Sequence, residues 1–569
     1  MRRRTVLLGG LAGLTGCASL PTTGQVRTRP RRSQAVGSGE MAIDPNPPAP
    51  GASPDLIVQG FLLAMATYQP GYQAARQYLT EAARGEWRPE SGLLVYADGN
   101  APRSVGDQVT LEAPLVASVD PRGAYTSVAG PTMLRHDFQL QQERGEWRIG
   151  NPPSGLLMTR YLFVTSHSRA DVYFLDSTLT TLVPDSRYFP RGNRVADAAV
   201  RALIGGPSDW LRPAVASVIP ESATLVEDVV GQGTVVVQLR GIPGDKSVSR
   251  MSLLAVQLAA TLRQLPDVTG FRFVVDGEPI TLPEAAGDGT LQFSVANRFD
   301  PVMSLQTQLF GISGGHLVRV GDGPGAVARP VTGEFGVRVR DVSAFAVSPD
   351  TVEAAIVSGD QLLQGGVDGQ GSRLVLTAKD LLRPQFTVSG SLWAISRSGD
   401  VNRIVSGQAL HVPAPAFAGL TILAFRVAPG GQRMAVVAED RGRRVLGLVR
   451  IDREPAVRLA GWRPISLARD GVPIAGLLDV GWTSASTLVV LASSTLSEQG
   501  IFEFDVDGVQ VRETGRVESW GALSLASSAK GGTAARTVVL ADDGVVWQYV
   551  DAFRWARLAE GMTAASYPG

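Results

Sequence analysis

Apolar residues change their period twice along the chain, and each change predicts a different kind of domain. Between Asp55 and Leu79, Ile57, Phe61, Leu62 and Met65 recur at steps that share one helical face, and Ala74, Ala75, Tyr78 and Leu79 follow after Pro70 and Gly71. The stretches GLLVYADG (92–99), QVTLEAPLVASVD (108–120) and HDFQLQQERGEWRIG (136–150) then read as strands with turn residues between them. Helices followed by a curved antiparallel sheet predict an α+β domain over residues 54–158. Trp87 and Trp147 are its expected core anchors, and a cone-shaped pocket is where a ligand would go.

A second α+β unit is expected over residues 159–285, opening with RYLFVTS (160–166) and ADVYFLD (170–176) as strands. Asn193 is a candidate cap for a helix from Val195 to Ile204, which Gly205, Gly206 and Pro207 stop. The strand GTVVVQLRG (233–241) follows. Ser249 then leads a helix carrying Met251, Leu254, Leu258, Leu262 and Leu265 at helical spacing, and Pro266 ends it before the strand GFRFVVDG (270–277). Strands alternating with helices imply a sheet with helices packed on it.

From about Asp300 the helical period disappears. A Phe or Val followed by Ser or Ala, a turn and a hydrophobic strand recurs at Phe345 (FAVSPDTVEAAIVS), Phe386 (FTVSGSLWAIS), Phe425 (FRVAPGGQRMAVVAE), Val480 (VGWTSASTLVVLAS) and Leu523 (LSLASSAKGGTAARTVVLAD). Successive starts lie about forty residues apart, once nearer fifty-five, the length of one four-stranded propeller blade. With LFGISGGHLVRVGD (309–322) as an opening partial blade, residues 300–569 are expected to form an all-β propeller of about six blades.

The N-terminus reads differently from all of this. Arg2 to Arg4 precede an apolar run, Thr5 to Gly16, that has the length of a signal-peptide core and is too short to span a bilayer. Leu14, Thr15, Gly16 and Cys17 match the bacterial lipobox, so residues 1–16 are expected to be a lipoprotein signal peptide. Cys17, the sole cysteine, is the expected lipidation site, because a thiolate is the nucleophile that takes up diacylglycerol. Both the general secretory route and a twin-arginine route fit this start. Residues 17–53 are rich in Pro, Gly, Ser and Arg, with RTRPRRS (27–33) and PNPPAPGASP (45–54), and are expected to be a disordered tether.

Composition excludes several functions. Across 569 residues 53 basic side chains balance 53 acidic ones, and setting aside Arg2 to Arg4 leaves the rest slightly acidic, so nothing points to nucleic acid. The four histidines, His136, His167, His316 and His411, are widely separated and lack metal-ligand or triad spacing. Gly311 to Gly315 spell the G-x-S-x-G of a nucleophile elbow, but an alternating strand follows Ser313 where a helix is required, so a hairpin is expected. Asp505, Asp507 and Gly508, and Asp542, Asp543 and Gly544, read as hairpin turns rather than calcium loops. Trp393, Trp482 and Trp547 sit at comparable places in the repeats and are expected to pack between blades. No catalytic residues, metal or cofactor are expected.

The order of segments resembles the LpqB lipoproteins of actinobacteria. VQGFLLAMATY and YLTEAARGEWRP are similar to that family's NTF2-like N-terminal region. VYFLDSTLTTLVPDSRYFP, VADAAVRALIGGPSDWLRPAVASVIPESATL and SLLAVQLAATLRQLPDVTGFRFVVDGEPI are similar to a GerMN domain, and FAVSPD with its repeats is similar to the family's propeller. The resemblance implies a membrane-anchored, extracytoplasmic lipoprotein carrying an N-palmitoyl, S-diacylglycerol cysteine. It also implies an accessory role in the MtrA/MtrB two-component system, through contact with the extracytoplasmic domain of the sensor histidine kinase, with an influence on cell-wall homeostasis and division. An envelope glycan or small-ligand binding protein is the alternative, and a propeller hydrolase the weaker one.

Overall fold

The computed structural model describes residues 46–569 apart from positions 129, 193, 228, 230–232, 245, 338, 370, 470–471, 494–498, 518–520, 531–535 and 552–553. Leu14, Thr15, Gly16, Cys17 and Asn193 therefore lie outside the described residues.

The first helix spans Pro54–Ala66, with proline in its first turn where no N–H partner is needed, and buries Ile57, Val58, Phe61 and Met65. The second is shorter than its apolar spacing suggests, Gln73–Arg76. Tyr78 and Leu79 leave the helix because the backbone bonds Ile149 N to Tyr78 O (2.9 Å) and Thr80 N to Ile149 O (3.0 Å) draw them against a strand. That strand belongs to the hairpin Leu140–Glu143 with Glu146–Ile149, turned by the left-handed pair Arg144 and Gly145. The twelve-residue strand Gln108–Val119 pairs with Leu93–Tyr96, Arg103–Val105, Tyr125–Ser127 and Met133–Asp137, and a parallel strand, Leu156–Thr159, completes the sheet.

Trp87 is the anchor expected of it, 3% exposed, with its ring 5.4 Å from Phe61 and its Nε1 donating to Gly155 O at 3.0 Å. Trp147, on the hairpin, is only half-buried but packs against this core, whose fully buried rings include Phe138 and Phe163. Phe61, Tyr72 and Trp87 pack together in this domain's core. A cleft of about 320 Å³ opens against the second domain, lined by Asp120, Arg122, His167, Phe189 and Arg201.

RYLFVTS corrects the expectation of a strand: Arg160–Ser166 is an α-helix. Thr159 Oγ1 accepts from Leu162 N (3.2 Å), a side-chain cap that the apolar run masks in the sequence. The helix drives Phe163 into the first domain's core, stacked on Tyr125 at 5.6 Å.

The second domain holds two sheets rather than one. The antiparallel strands His167–Asp176 and Leu182–Pro190 form the first with the short Val215–Ala216, while Gly233–Arg240 and Val268–Val275 run parallel in the second. The helix Val195–Ile204 starts and stops where the sequence places it. The long helix is Val248–Leu262, preceded by Ser247 rather than led by Ser249, and it ends before Leu265. Both helices pack into one apolar core with residues of the two sheets.

From Leu309 onward the described residues form six four-stranded antiparallel sheets together with one short hairpin. Each sequence repeat supplies the first two strands of a sheet, as at Val342–Val347 with Glu353–Ser358 and Thr421–Val427 with Arg433–Asp440. We number the blades in chain order. The first combines Leu309–Ser313, His316–Val320 and Ala328–Pro330 with the last strand of the chain, Met562–Ser566, as its innermost member. The second spans Val342–Thr377, the third Gln385–His411, the fourth Thr421–Ile465, the fifth Ala475–Arg516 and the sixth Ala522–Ala559. Inner strands of successive blades touch around the axis, and Gln385 bridges the third and fourth through Val427 N and O at 2.6 and 3.0 Å. The three tryptophans do not occupy equivalent places: Trp393 is on a second strand, Trp482 ends an inner strand and Trp547 is on a third.

Gly311 explains its own residue type, since a Cβ there would lie 2.8 Å from Met562 Sδ and 3.0 Å from Ala564 O. Gly311→Val is therefore expected to pry the closing strand away and to cost about 1–3 kcal/mol. A lowered melting temperature of the propeller transition, followed by circular dichroism, checks this.

Candidate functional site: the propeller axis and the three-domain junction

Two places gather charged side chains that the apolar cores cannot account for. The first lies on the propeller axis, where an inner strand pairs on one edge only and leaves backbone groups facing the channel. Arg383, in the connection entering the third blade, reaches across to the fifth, placing Nη2 2.9 and 3.2 Å from the carboxylate oxygens of Asp479. The same nitrogen donates to Leu525 O of the sixth blade at 2.9 Å, and Nη1 lies 3.5 Å from Ala565 O of the first. Asp479 in turn accepts from Leu525 N at 2.9 Å. Arg383 and Asp479 are 16% and 9% exposed, so the pair is a mostly buried plug tying four blades together. On one side of it the starts of the inner strands surround a mouth of about 690 Å³. On the other a small cleft is lined by Gln385, Trp482, Ser527 and Tyr567.

The second place is the junction of all three domains. Arg169, on the first strand of the second domain, donates to Asp171 (2.9 Å), Ser186 Oγ (2.8 Å) and, across the domain boundary, Asp505 Oδ1 of the fifth blade (3.1 Å). Ser486 Oγ of the propeller returns a bond to Asp171 Oδ2 at 2.7 Å, and the Tyr188 hydroxyl donates to Asp507 Oδ2 at 2.9 Å. The first domain joins through Tyr125 and Phe163, packed on Tyr188 at 5.7 and 5.1 Å, and through Arg463, which donates to Tyr125 O. Trp210 Nε1 to Gly461 O (2.7 Å) and Arg450 Nη1 to Trp210 O (2.6 Å) extend the seam to the fourth blade.

Burial sets the protonation of this junction. Asp505 is pushed up to about 6 because it is withdrawn from water, and the pull of Arg169 is offset by Asp507 and Asp171 nearby. Tyr125 is pushed up to about 12, again mainly by burial. Arg433, fully buried over the Trp482 ring at 5.5 Å, is lowered to about 10 for the same reason.

The histidines stay apart. His136 Nε2 meets Asn151 O (2.9 Å), His316 Nδ1 meets Gly336 O (2.8 Å) and His411 is exposed. His167, buried beside Phe163, is depressed to about 4 by desolvation. Among the described residues no group of histidine, cysteine or acidic side chains is placed to hold a metal ion. Ser313 closes a hairpin against His316, with Gly314 and Gly315 left-handed between them. Asp542, Asp543 and Gly544 form a turn in which Asp543 accepts from Val545 N (3.0 Å). Asp505 and Asp507, read from the sequence as another such turn, prove to be the propeller's half of the junction. No local signal reveals this, because Arg169 lies 336 residues earlier.

Two outcomes follow from this geometry. Asp479→Ala leaves the Arg383 charge buried and unpaired and is expected to cost about 3 kcal/mol, whereas Arg383→Met with Asp479→Leu recovers most of the loss; melting temperatures of the two variants decide. For Asp505, the unfolded chain gives up the proton near pH 4 and the folded protein near 6, so the folded state holds the extra proton in between. Stability therefore falls as pH rises through that interval, and Asp505→Asn is expected to flatten the fall. Thermal unfolding of both proteins from pH 4 to 7 measures it.

Comparison with known proteins gives three successive family matches: Lipoprotein LpqB, N-terminal domain, over 47–164; Sporulation and spore germination, over 171–281; and Lipoprotein LpqB beta-propeller domain, over 315–568. Among curated relatives, Lipoprotein LpqB of Cutibacterium acnes is 31% identical, with 99% of this chain and 98% of the relative aligned. Lipoprotein LpqB of Thermobifida fusca is 29% identical over 98% and 97%, and that of Mycobacterium bovis 28% over 73% of each. Domain order, the six-sheet ring and full-length similarity agree: the chain belongs to the LpqB lipoprotein family.

Proposed function

We propose that the protein is a non-catalytic lipoprotein, anchored at the outer face of the cell membrane, that binds the extracytoplasmic domain of a sensor histidine kinase of the MtrA/MtrB type and biases its signalling state. The observation that carries this reading is the junction around Arg169 and Asp505, which holds three domains as one body. Such a body offers a partner one fixed surface spanning two α+β domains and a propeller. Diacylglycerol and palmitate on Cys17 would keep it at the membrane, and the tether 17–53 would raise its effective concentration toward a kinase in the same membrane. Biasing a kinase requires unequal affinity for its two states, which is the quantity to measure. No helix among the described residues is long and apolar enough to cross a membrane.

An envelope glycan is the second reading. It is favoured by a cleft of about 830 Å³ between the helix Arg160–Ser166 and the fifth blade, where Tyr161 stands 68% exposed.

Crosslinking in intact cells, purification of the lipidated protein and mass spectrometry of its partners test the proposal. Recovery of a sensor kinase crosslinked through its extracytoplasmic domain is expected; recovery of glycan alone transfers the reading to the cleft. Cys17→Ser is expected to leave the signal segment uncut or to release the protein from membranes. Normal processing with unchanged membrane retention would overturn the anchor.

A further inference from the structure

The mouth of the propeller above the Arg383–Asp479 plug carries more charge than the fold uses. Arg397 lies in a hairpin of the third blade, Arg426 on the inner strand of the fourth and Arg444 at the start of that blade's third strand, and all three line the cavity. Among the described residues none of the three has a carboxylate within ion-pair distance. Arg426, half-buried, donates to Phe425 O at 2.5 Å, and Arg444 donates to Leu477 O at 2.9 Å. A guanidinium carries five N–H donors, so most of these remain free and point to a planar acceptor such as a carboxylate. The neighbouring sector has the opposite sign. Asp360, in the hairpin of the second blade, and Asp380, in the connection leaving it, line the same cavity, are exposed and likewise lack an ion pair.

The two sectors sit side by side without neutralising each other, and the plug beneath is already neutral. A ligand that is anionic throughout would meet Asp360 and Asp380, and a purely cationic one would meet three arginines. A molecule with one carboxylate and one ammonium satisfies both. Leu423 of the fourth blade and the 59% exposed Leu523 of the sixth add apolar lining to the same cavity. The cavity, about 690 Å³, lies within the range of small-ligand pockets, and its closed floor admits a ligand that enters from one side and stops.

We propose that the propeller mouth is a binding site for a small zwitterion of the amino-acid or short-peptide class, its carboxylate held by Arg397, Arg426 and Arg444 and its ammonium by Asp360 and Asp380. The site goes beyond the docking role and does not depend on the identity of any kinase.

Calorimetric titration of the full chain in detergent with trialanine, its C-terminal amide and its N-acetyl form tests the assignment. Trialanine is expected to bind at least tenfold more tightly than either capped form. Arg397→Ala and Arg444→Ala, both at exposed positions and checked for unchanged melting temperature, are expected to erase the preference for the free carboxylate. Asp360→Asn with Asp380→Asn is expected to erase the preference for the free amine. Free alanine competing as well as trialanine would support the site and identify an amino acid as the source. Equal binding of the amide, or no binding of any form, would overturn the proposal and leave the docking role untouched.

Discussion

Where the three domains sit depends on how one guanidinium is shared. Arg169 is held by Asp171 on its own strand and by Asp505 on the propeller, and Ser486 closes the loop by donating back to Asp171. A charge withdrawn from water is tolerated only where its partners are in place, so the arrangement of acceptors restricts the domains to one relative position. Apolar contact alone would permit sliding. The aromatic group of Tyr125, Phe163 and Tyr188 supplies area, and the polar bonds supply register.

The propeller axis repeats this logic on a smaller scale. Six sheets packed around a ring leave their innermost edges with unused backbone groups, and Arg383 consumes carbonyls from two blades while pairing with the carboxylate of a third. Asp479 needs both the guanidinium and Leu525 N to be satisfied. Blades that differ in sequence are thereby tied together by a few polar side chains at the axis.

The blade repeats and the helix Val195–Ile204 were legible because their apolar periods are long and end in glycine, proline or a turn. The hairpin at Ser313 was legible because a strand followed it where a catalytic elbow needs a helix. Arg160–Ser166 was misread as a strand: Tyr161, Leu162, Phe163 and Val164 suit either structure, and only the cap from Thr159 decides. In the second domain ADVYFLD, GTVVVQLRG and GFRFVVDG were read as strands and Leu182–Pro190 was missed, and the division into two sheets depends on pairing between distant segments, which local periodicity does not carry. The junction was illegible for the same reason. An Asp-Val-Asp-Gly turn looks alike whether it faces water or a guanidinium from another domain.

The last strand of the chain also sets an order of events. Phe310, in the opening strand of the propeller, is paired with Ser566, so the first blade takes its inner strand from a segment far away in sequence. The entropy of joining such distant segments grows only slowly with their separation, but contacts that are non-local in sequence slow folding. Until that strand docks, the first blade lacks its inner member and Phe310 and Ile312 border an open edge. Docking of Met562–Ser566 is therefore the step that turns a row of blades into a closed ring.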